Sequence, residues 1–425
     1  MQKRVVITGL GCISPLGNRV EDLWRGLLAG KSGVDKITHY DTADFKTKIA
    51  AEVKDFDGDA LFGNREARRM DRYTQFALAA SQQAVQDAGL EINDSNRDRI
   101  GVVIGTGIGG LTTLFDQIQV FNQRGPSRVS PFLVPMMLPD SGAGIVAIQL
   151  GVRGPNMAVV TACATGTNSV GEAVEMIRRG FADAILAGGS EAVIVPIAMA
   201  AMGVMGALST HNDDPQGASR PFDLNRDGFV MGEGAGILVL EDLEHARGRG
   251  ATILAEVSGY GTTNDAYHIS APAENGAGAA RCMRMALDNA SLSTDEISYI
   301  NAHGTSTPLN DKSETIAIKT VFGEAAYNIP VSSTKSMTGH LLGASGALEA
   351  IVCVKVLQEG ILPPTINYET PDPECDLDYV PNAPRKAIVR HVMSNSFGFG
   401  GHNATIILSH YNSQPNGSTR KAENI

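Results

Sequence analysis

The sequence is short of several things, and each shortage closes off a class of protein. Its 425 residues include five cysteines, one tryptophan and only 5% aromatic residues. The cysteines (Cys12, Cys163, Cys282, Cys353 and Cys375) are scattered and form no C-x-x-C pair. That argues against a disulfide framework and points to a reducing compartment, the cytoplasm. No apolar run is long enough to span a bilayer, so no membrane is expected. The opening M-Q-K-R-V-V-I-T-G-L places basic residues before an apolar run too short for a secretory leader, with no cleavage site after it. Cations are also in deficit. With 35 Lys and Arg against 46 Asp and Glu, the net charge of −11 argues against nonspecific nucleic-acid binding.

Hydrophobic residues make up 43% of the chain and charged residues 19%, enough for a large core. The 47 glycines cluster in motifs rather than in linkers. Buried strands are expected at Val5–Gly9, Gly101–Gly105, Met157–Thr161 and Ala184–Gly188, then at Gly236–Leu240, Ile253–Gly259, Ile297–Ala302, Pro330–Ser333 and Ala404–Ser409. Amphipathic helices are expected at Thr74–Ala88, Thr167–Arg179, Gly278–Asn289, Lys312–Val321 and Ala344–Gln358. Strands alternating with helices imply an α/β fold with mostly parallel sheets. The two halves of the chain look like variants of one pattern. The segments Arg65–Tyr73 and Gly189–Asp227 are expected to be insertions outside the cores, and the polar tail after His410 is expected to fray.

Three motifs stand out. Cys163 lies in V-V-T-A-C-A-T-G-T (159–167), His303 in N-A-H-G-T-S-T-P (301–308) and His340 at the end of S-S-T-K-S-M-T-G-H (332–340). A β-branched run precedes Cys163 and a helical stretch follows. A sulfur at a helix N-terminus meets a dipole and free N–H groups that favour thiolate and can hold an oxyanion. The competing reading is a buried structural cysteine, which is kept for the other four. His340 precedes a helix, where imidazole tends to stay neutral and donate a hydrogen bond. Zinc is disfavoured, because H-x-x-x-H and a nearby carboxylate pattern are missing. One Cys with two His suits thioester chemistry in which a carbanion must also be generated.

Lys335 and Glu349 are expected to face each other, as a structural pair or as a pair that tunes the site. Asp311 and Glu314 follow His303 closely enough to complete a buried ionic network. Phe397 and Phe399 sit among glycines in N-S-F-G-F-G-G-H-N (395–403), either as a gate to an apolar tunnel or as core aromatics on a tight turn. G-T-G-I-G-G (105–110) fits a phosphate loop superficially, but no acidic residue follows at the right distance for a dinucleotide. Arg65, Arg68, Arg69 and Arg72 recur at helical spacing, with Glu66 and Asp71 off that face. The stripe reads as a dock for an acidic partner or as a solvated face.

T-A-C-A-T-G, N-A-H-G-T-S-T-P, S-S-T-K-S-M-T-G-H and N-S-F-G-F-G-G, in this order, resemble the β-ketoacyl-[acyl-carrier-protein] synthases, specifically the elongating type II enzymes of fatty-acid synthesis. The resemblance runs from about Lys3 to His410. It implies a thiolase-like fold: duplicated α/β halves in a five-layer α-β-α-β-α arrangement, usually a homodimer. The halves are expected at 1–255 and 256–410, with a tail at 411–425. It further implies that Cys163 takes an acyl chain from an acyl carrier protein. His303 and His340 then bind the malonyl thioester and assist loss of carbon dioxide. The backbone N–H groups of Cys163 and Phe399 would form an oxyanion hole, and Lys335 would organise the site. Phe399 would also be the gate, with Phe397 beside it as a substrate-binding residue. Ser270, Thr305 and Thr307 would line a pantetheine tunnel, Ile108 would border the acyl pocket, and Arg65, Arg68 and Arg69 would dock the carrier. No cofactor or metal is implied.

The resemblance also has departures. His340 stands where initiating synthases have asparagine, and no second cysteine stands near the C-terminus as in degradative thiolases. His402 replaces a threonine common in bacterial elongating enzymes and occurs in polyketide relatives, and Gly206 replaces a carrier-docking arginine. A polyketide ketosynthase is therefore the alternative. A noncatalytic chain-length partner is a third reading, but such partners typically lose the nucleophile that is present here.

Overall fold

The computed structural model describes residues 3–411. Of the tail expected to fray, residues 412–425 lie outside the described residues. A ten-stranded sheet runs through the molecule. Its strands are β1 (Val5–Ile13), β2 (Ile100–Gly105), β3 (Asn156–Met157), β4 (Ala184–Glu191), β5 (Gly234–Asp242), β6 (Ala255–Asn264), β7 (Tyr299–Asn301), β8 (Val331–Ser332), β9 (His391–Gly398) and β10 (His402–Ser409). Their spatial order is β8-β7-β9-β10-β6-β1-β5-β4-β2-β3.

That order contains a repeat. In the first half β3, β2 and β4 are parallel neighbours, and β5 and β1 continue antiparallel. In the second half β8, β7 and β9 are parallel, and β10 and β6 continue antiparallel. The halves meet where β1 pairs briefly with β6, Val6 opposite Glu256 and Ile7 opposite Ala255.

Alternation along the strands builds the layers. Val102 and Ile104 of β2 face outward onto helix α1 (Arg72–Ala88) and helix α2 (Ser141–Leu150), whereas Val103 faces inward. In β10, Ile406 and Leu408 face inward while Ile407 faces the opposite outer layer. The inward faces close on two central helices, α3 (Thr165–Arg178) and, near the end of the chain, Ser345–Glu359. The far outer layer is α4 (Ala277–Ala290) and α5 (Pro308–Phe322); the helix Ser345–Glu359 is α6. The result is the expected five layers, α-β-α-β-α. Both halves use glycine to bring an outer helix onto the sheet. A Cβ on Gly9 or Gly11 would meet α1 backbone oxygens at 2.3 and 2.0 Å, and one on Gly259 or Gly261 would meet α4 backbone oxygens at 2.4 and 2.3 Å.

The central helices converge at their N-termini. A Cβ on Gly166 would sit 2.7 Å from the nitrogen of Ala347, and one on Gly346 would sit 2.8 Å from the nitrogen of Thr167. Because Cys163 precedes α3 and His340 precedes α6, this contact brings their loops together.

Several sequence expectations change. The strand expected at Met157–Thr161 is only Asn156–Met157, because residues 158–161 bend toward the turn that carries Cys163. The strand His391–Gly398 was not anticipated. Its polar run Ser394–Ser396 is buried between β7 and β10, and Phe397 lies at the strand end rather than on a free loop. The two supposed insertions are partly core: Tyr73, Ser190, Glu191 and Val193 are fully buried. Among the described residues, no helix is long and apolar enough to cross a membrane.

Candidate active site

Cys163 sits in a 3₁₀ turn, Ala162–Ala164, that leads into α3. Thr161 anchors the turn: its N–H donates to Thr165 Oγ1 at 2.8 Å and its hydroxyl donates to Asn168 Oδ1 at 2.7 Å. Ala162 takes a positive φ of 50°, a conformation costly for a residue with a Cβ. The turn presents the sulfur, and the backbone N–H groups of Phe399 and Cys163 both reach it. Gly398 makes the approach of Phe399 possible, since a Cβ there would sit 2.8 Å from Thr161 O and 3.0 Å from the Cys163 nitrogen.

The sulfur is at a helix N-terminus, yet the expected preference for thiolate does not follow. Burial pushes the Cys163 thiol up to about 12, against the opposing Lys335 ammonium and the two N–H groups. The resting group is a thiol.

His303 follows β7. Its backbone is held by Glu314 of α5, which accepts from the His303 N–H at 2.9 Å and the Gly304 N–H at 2.8 Å. His340 follows Gly339, and its backbone is clamped to β-bridge neighbours: its N–H donates to Val230 O at 2.7 Å and its carbonyl accepts from Gly232 N–H at 2.9 Å. The two imidazoles have centroids 5.3 Å apart at 84°. Phe397 packs on His303 at 5.7 Å and Phe229 packs edge-on to His340 at 5.2 Å. Burial, reinforced by Lys335, holds both imidazoles well below their usual pKa, and His340 adds to the effect at His303. Both rings are therefore neutral at pH 7. Their surroundings differ: His303 Nδ1 is buried with no hydrogen-bond partner among the described residues, whereas His340 Nδ1 lies 2.9 Å from Ser345 Oγ.

Lys335 pairs with Glu349 of α6 deep in the interior, and burial lifts the Glu349 carboxyl to about 7 against the pull of Lys335. Lys335 itself is 1% exposed and does not line the cavity; it acts on Cys163 and both histidines through its charge. Asp311 enters a buried ionic network with Arg226 and Asp372, whereas Glu314 has no ion-pair partner among the described residues. Asp311 accepts from Phe222 N–H at 2.9 Å and lies 3.6 Å from Arg226, tying down the 222–226 loop, while Glu314 holds the His303 turn.

A cavity of about 420 Å³ joins these groups. Cys163, His303, His340, Phe397 and Phe399 line it, as do Ser270, Thr305 and Thr307. The hydroxyls of Thr305 and Thr307 are 2.9 Å apart, and Ser306 between them turns away at φ 69° so that its oxygen accepts from Arg220 N–H. Ile108 does not line this cavity. It is 37% exposed, on the loop after β2.

The arginine stripe is broken. Arg65 and Arg68 are exposed, but Arg69 lies over the Phe132 ring at 5.0 Å and within 3.6 Å of Glu66, which the sequence had placed off that face. Arg72 is only partly exposed and pairs with buried Glu233 at 2.7 Å. The cause is a turn at Arg68–Asp71 between two helices where one helix was expected.

Sequence reasoning missed Glu191. It is fully buried and accepts from Thr106 Oγ1 and Gly107 N–H at 2.7 Å and from Gly343 N–H at 3.0 Å. It therefore ties the glycine-rich loop after β2, the supposed phosphate loop, to the segment after His340. An acidic residue ending the apolar run A-I-L-A-G-G-S-E was the available signal.

Residues 2–246 match the β-ketoacyl synthase N-terminal domain and residues 254–369 the β-ketoacyl synthase C-terminal domain. The chain belongs to the β-ketoacyl synthase family. This synthase is 55% identical over 410 residues to 3-oxoacyl-[acyl-carrier-protein] synthase 2 of Synechocystis sp. (strain ATCC 27184 / PCC 6803 / Kazusa), covering 96% of the chain and 99% of the relative. It is 54% identical over 409 residues to the protein of the same name from Staphylococcus aureus (strain N315), again covering 96% and 99%. Among solved structures, it superposes with a TM-score of 0.90 on a type II polyketide acyl carrier protein in complex with its ketosynthase, at 38% identity over 97% of the chain and 100% of that chain. The ishigamide ketosynthase/chain length factor also gives a TM-score of 0.90, at 41% identity with the same coverage.

Proposed function

We propose that the chain is an elongating 3-oxoacyl-[acyl-carrier-protein] synthase of type II fatty-acid synthesis, an acyltransferase that joins malonyl units to an acyl chain held on Cys163. The observation that carries the reading is the convergence of one thiol, two neutral imidazoles and two N–H groups aimed at the sulfur, all around one cavity.

In the first half-reaction the Cys163 sulfur attacks the carrier thioester. The carbonyl oxygen gains charge and is held by the Cys163 and Phe399 N–H groups. The carrier thiol leaves with the proton that Cys163 gives up. In the second, His303 and His340 donate to the carbonyl oxygen of the malonyl thioester. The carbon–carbon bond to the carboxylate breaks, carbon dioxide leaves, and the electron pair becomes an enolate. The enolate attacks the acyl-Cys163 carbonyl, and the released sulfur takes up a proton. The product is a 3-oxoacyl-carrier two carbons longer. Lys335 tunes the site through its charge, paired with Glu349. Thr305, Thr307 and Ser270 line the way in for the carrier's pantetheine arm, and Phe399, followed by Gly400 and Gly401 with φ of 82° and 74°, gates it.

The carrier reading rests on Arg65 and Arg68, with Arg69 beside them, as a basic exposed site on an acidic protein. A homodimer is proposed on the exposed apolar side chains Phe132, Val134, Leu138, Ile148, Met157 and Val160, with Met157 on the open edge strand β3 and Val160 just after it. Gly110 N–H bonds Met137 O, which sets the loop of Ile108 beside this face. In the dimer Ile108 would then border an acyl pocket closed by the second copy. Five cysteines, all unpaired, fit a cytoplasmic protein.

The polyketide reading keeps His402 and the 0.90 superposition on the type II polyketide ketosynthase complex, but the 54–55% identity to proteins named 3-oxoacyl-[acyl-carrier-protein] synthase 2 outweighs them. Reconstitution with acyl- and malonyl-carrier proteins tests the choice. A fatty-acid enzyme condenses once and stops at the 3-oxoacyl stage until reduction; repeated unreduced condensation would favour the polyketide enzyme.

A further inference from the structure

The two imidazoles of the site are held differently, and the difference lies in one hydroxyl. Ser345 opens helix α6 and is 2% exposed. Its Oγ lies 2.9 Å from His340 Nδ1 and also accepts from the Leu341 N–H at 2.9 Å. We infer that Ser345 is a positioning residue that locks His340 in the tautomer with Nδ1 bare and Nε2 protonated. The inference rests on the reading of His340 as a donor to the substrate carbonyl.

The reasoning is a count of hydrogens. The Ser345 oxygen already receives one hydrogen, from Leu341, and the hydroxyl has a single hydrogen to give. Among the described residues, its only other hydrogen-bond partner is His340 Nδ1. If Nδ1 carried the proton, the Ser345 hydroxyl hydrogen would point at nothing in a buried place, an arrangement that buried donors avoid. With Nδ1 bare, both hydrogens are used. The ring proton then sits on Nε2, which has no hydrogen-bond partner among the described residues, on a ring that lines the cavity. That nitrogen is a preset donor. His303 has no such lock among the described residues, where its Nδ1 meets no partner. The backbone clamps on His340 fix where the ring is, and Ser345 fixes which nitrogen carries the hydrogen.

The test is nitrogen NMR on the full-length protein labelled with ¹⁵N-histidine, with the His340 signals assigned by their loss in His340→Ala. In the wild type we expect a bare Nδ1 and a protonated Nε2; a protonated Nδ1 would overturn the inference. In Ser345→Ala we expect a mixture of tautomers and about a tenfold slower release of carbon dioxide from malonyl-carrier protein, with acyl transfer to Cys163 falling far less. Ser345→Thr, which keeps the hydroxyl, should restore the single tautomer. An alanine variant with the wild-type tautomer and wild-type decarboxylation would also overturn the inference. If Ser345→Ala does not fold, the wild-type spectrum still decides. A wild type that shows the lock but releases no carbon dioxide supports the lock and removes the malonyl reading on which its role rests.

Discussion

The rings of His303 and His340 stand edge to face, 5.3 Å between centroids, and both are buried to within 2% of full exclusion. Burial first, and the nearby Lys335 ammonium second, hold both rings neutral, and His340 adds to the effect at His303. Neutral imidazoles can donate to a carbonyl without repelling a carrier thioester's neighbours or trapping an enolate as a salt. The site therefore stabilises charge only as it develops.

The same burial acts on the nucleophile. With the Cys163 thiol pushed up to about 12, its alkylation by iodoacetamide should rise about tenfold per pH unit from pH 7 to 9 without a plateau. Mass-spectrometric labelling rates across that range check this. A plateau with a midpoint below pH 8 would mean that the helix N-terminus and Lys335 outweigh burial.

Glu314 holds the turn that carries His303. Glu314→Ala orphans the His303 and Gly304 N–H groups, at a cost of about 1–3 kcal/mol each. Urea unfolding should show the loss, and in the protein that remains folded decarboxylation should suffer more than acyl transfer to Cys163. Equal loss in both half-reactions would detach Glu314 from the histidine's role.

Gly398 lets the Phe399 N–H reach the sulfur. A Cβ there meets Thr161 O and the Cys163 nitrogen at 2.8 and 3.0 Å, so Gly398→Ala must displace one of the two oxyanion donors. Acyl transfer should fall by about 10²–10³-fold, the cost of one such donor. Stopped-flow acylation with circular dichroism as the fold control measures it; a rate within a few-fold of wild type would place the oxyanion elsewhere.

Arg65 and Arg68 carry the carrier reading. The double reversal Arg65→Glu with Arg68→Glu should weaken carrier binding by more than tenfold at low salt and flatten its salt dependence. Titration calorimetry at two ionic strengths reads both effects. Unchanged affinity would leave these arginines as solvated surface.

Much of this was legible in the sequence because the chemistry is carried by short motifs with fixed local consequences. Cys163, His303, His340 and Phe399 were each marked by glycine and hydroxyl neighbours, and the structure gathers them around one cavity. What was not legible depends on long-range contact. The polar strand His391–Gly398 reads as a loop until β7 and β10 supply its partners. The arginine stripe had the right period but crosses a turn, and Arg72 is drawn inward by Glu233, 161 residues away. Glu191 gave no motif, since its role is to accept hydrogens from two loops that meet only in the fold. Burial of Cys163 opposes the thiolate expectation, and a helix N-terminus can be read from sequence whereas depth of burial cannot.

The most direct test of the central claim is intact-protein mass spectrometry after exposure to acyl-carrier protein, followed by addition of malonyl-carrier protein. The wild type should gain one acyl group, map it to Cys163, and release it as a 3-oxoacyl-carrier two carbons longer, while Cys163→Ala gains nothing and makes no product. A Cys163→Ala protein that still acquires and extends the acyl chain would contradict the account.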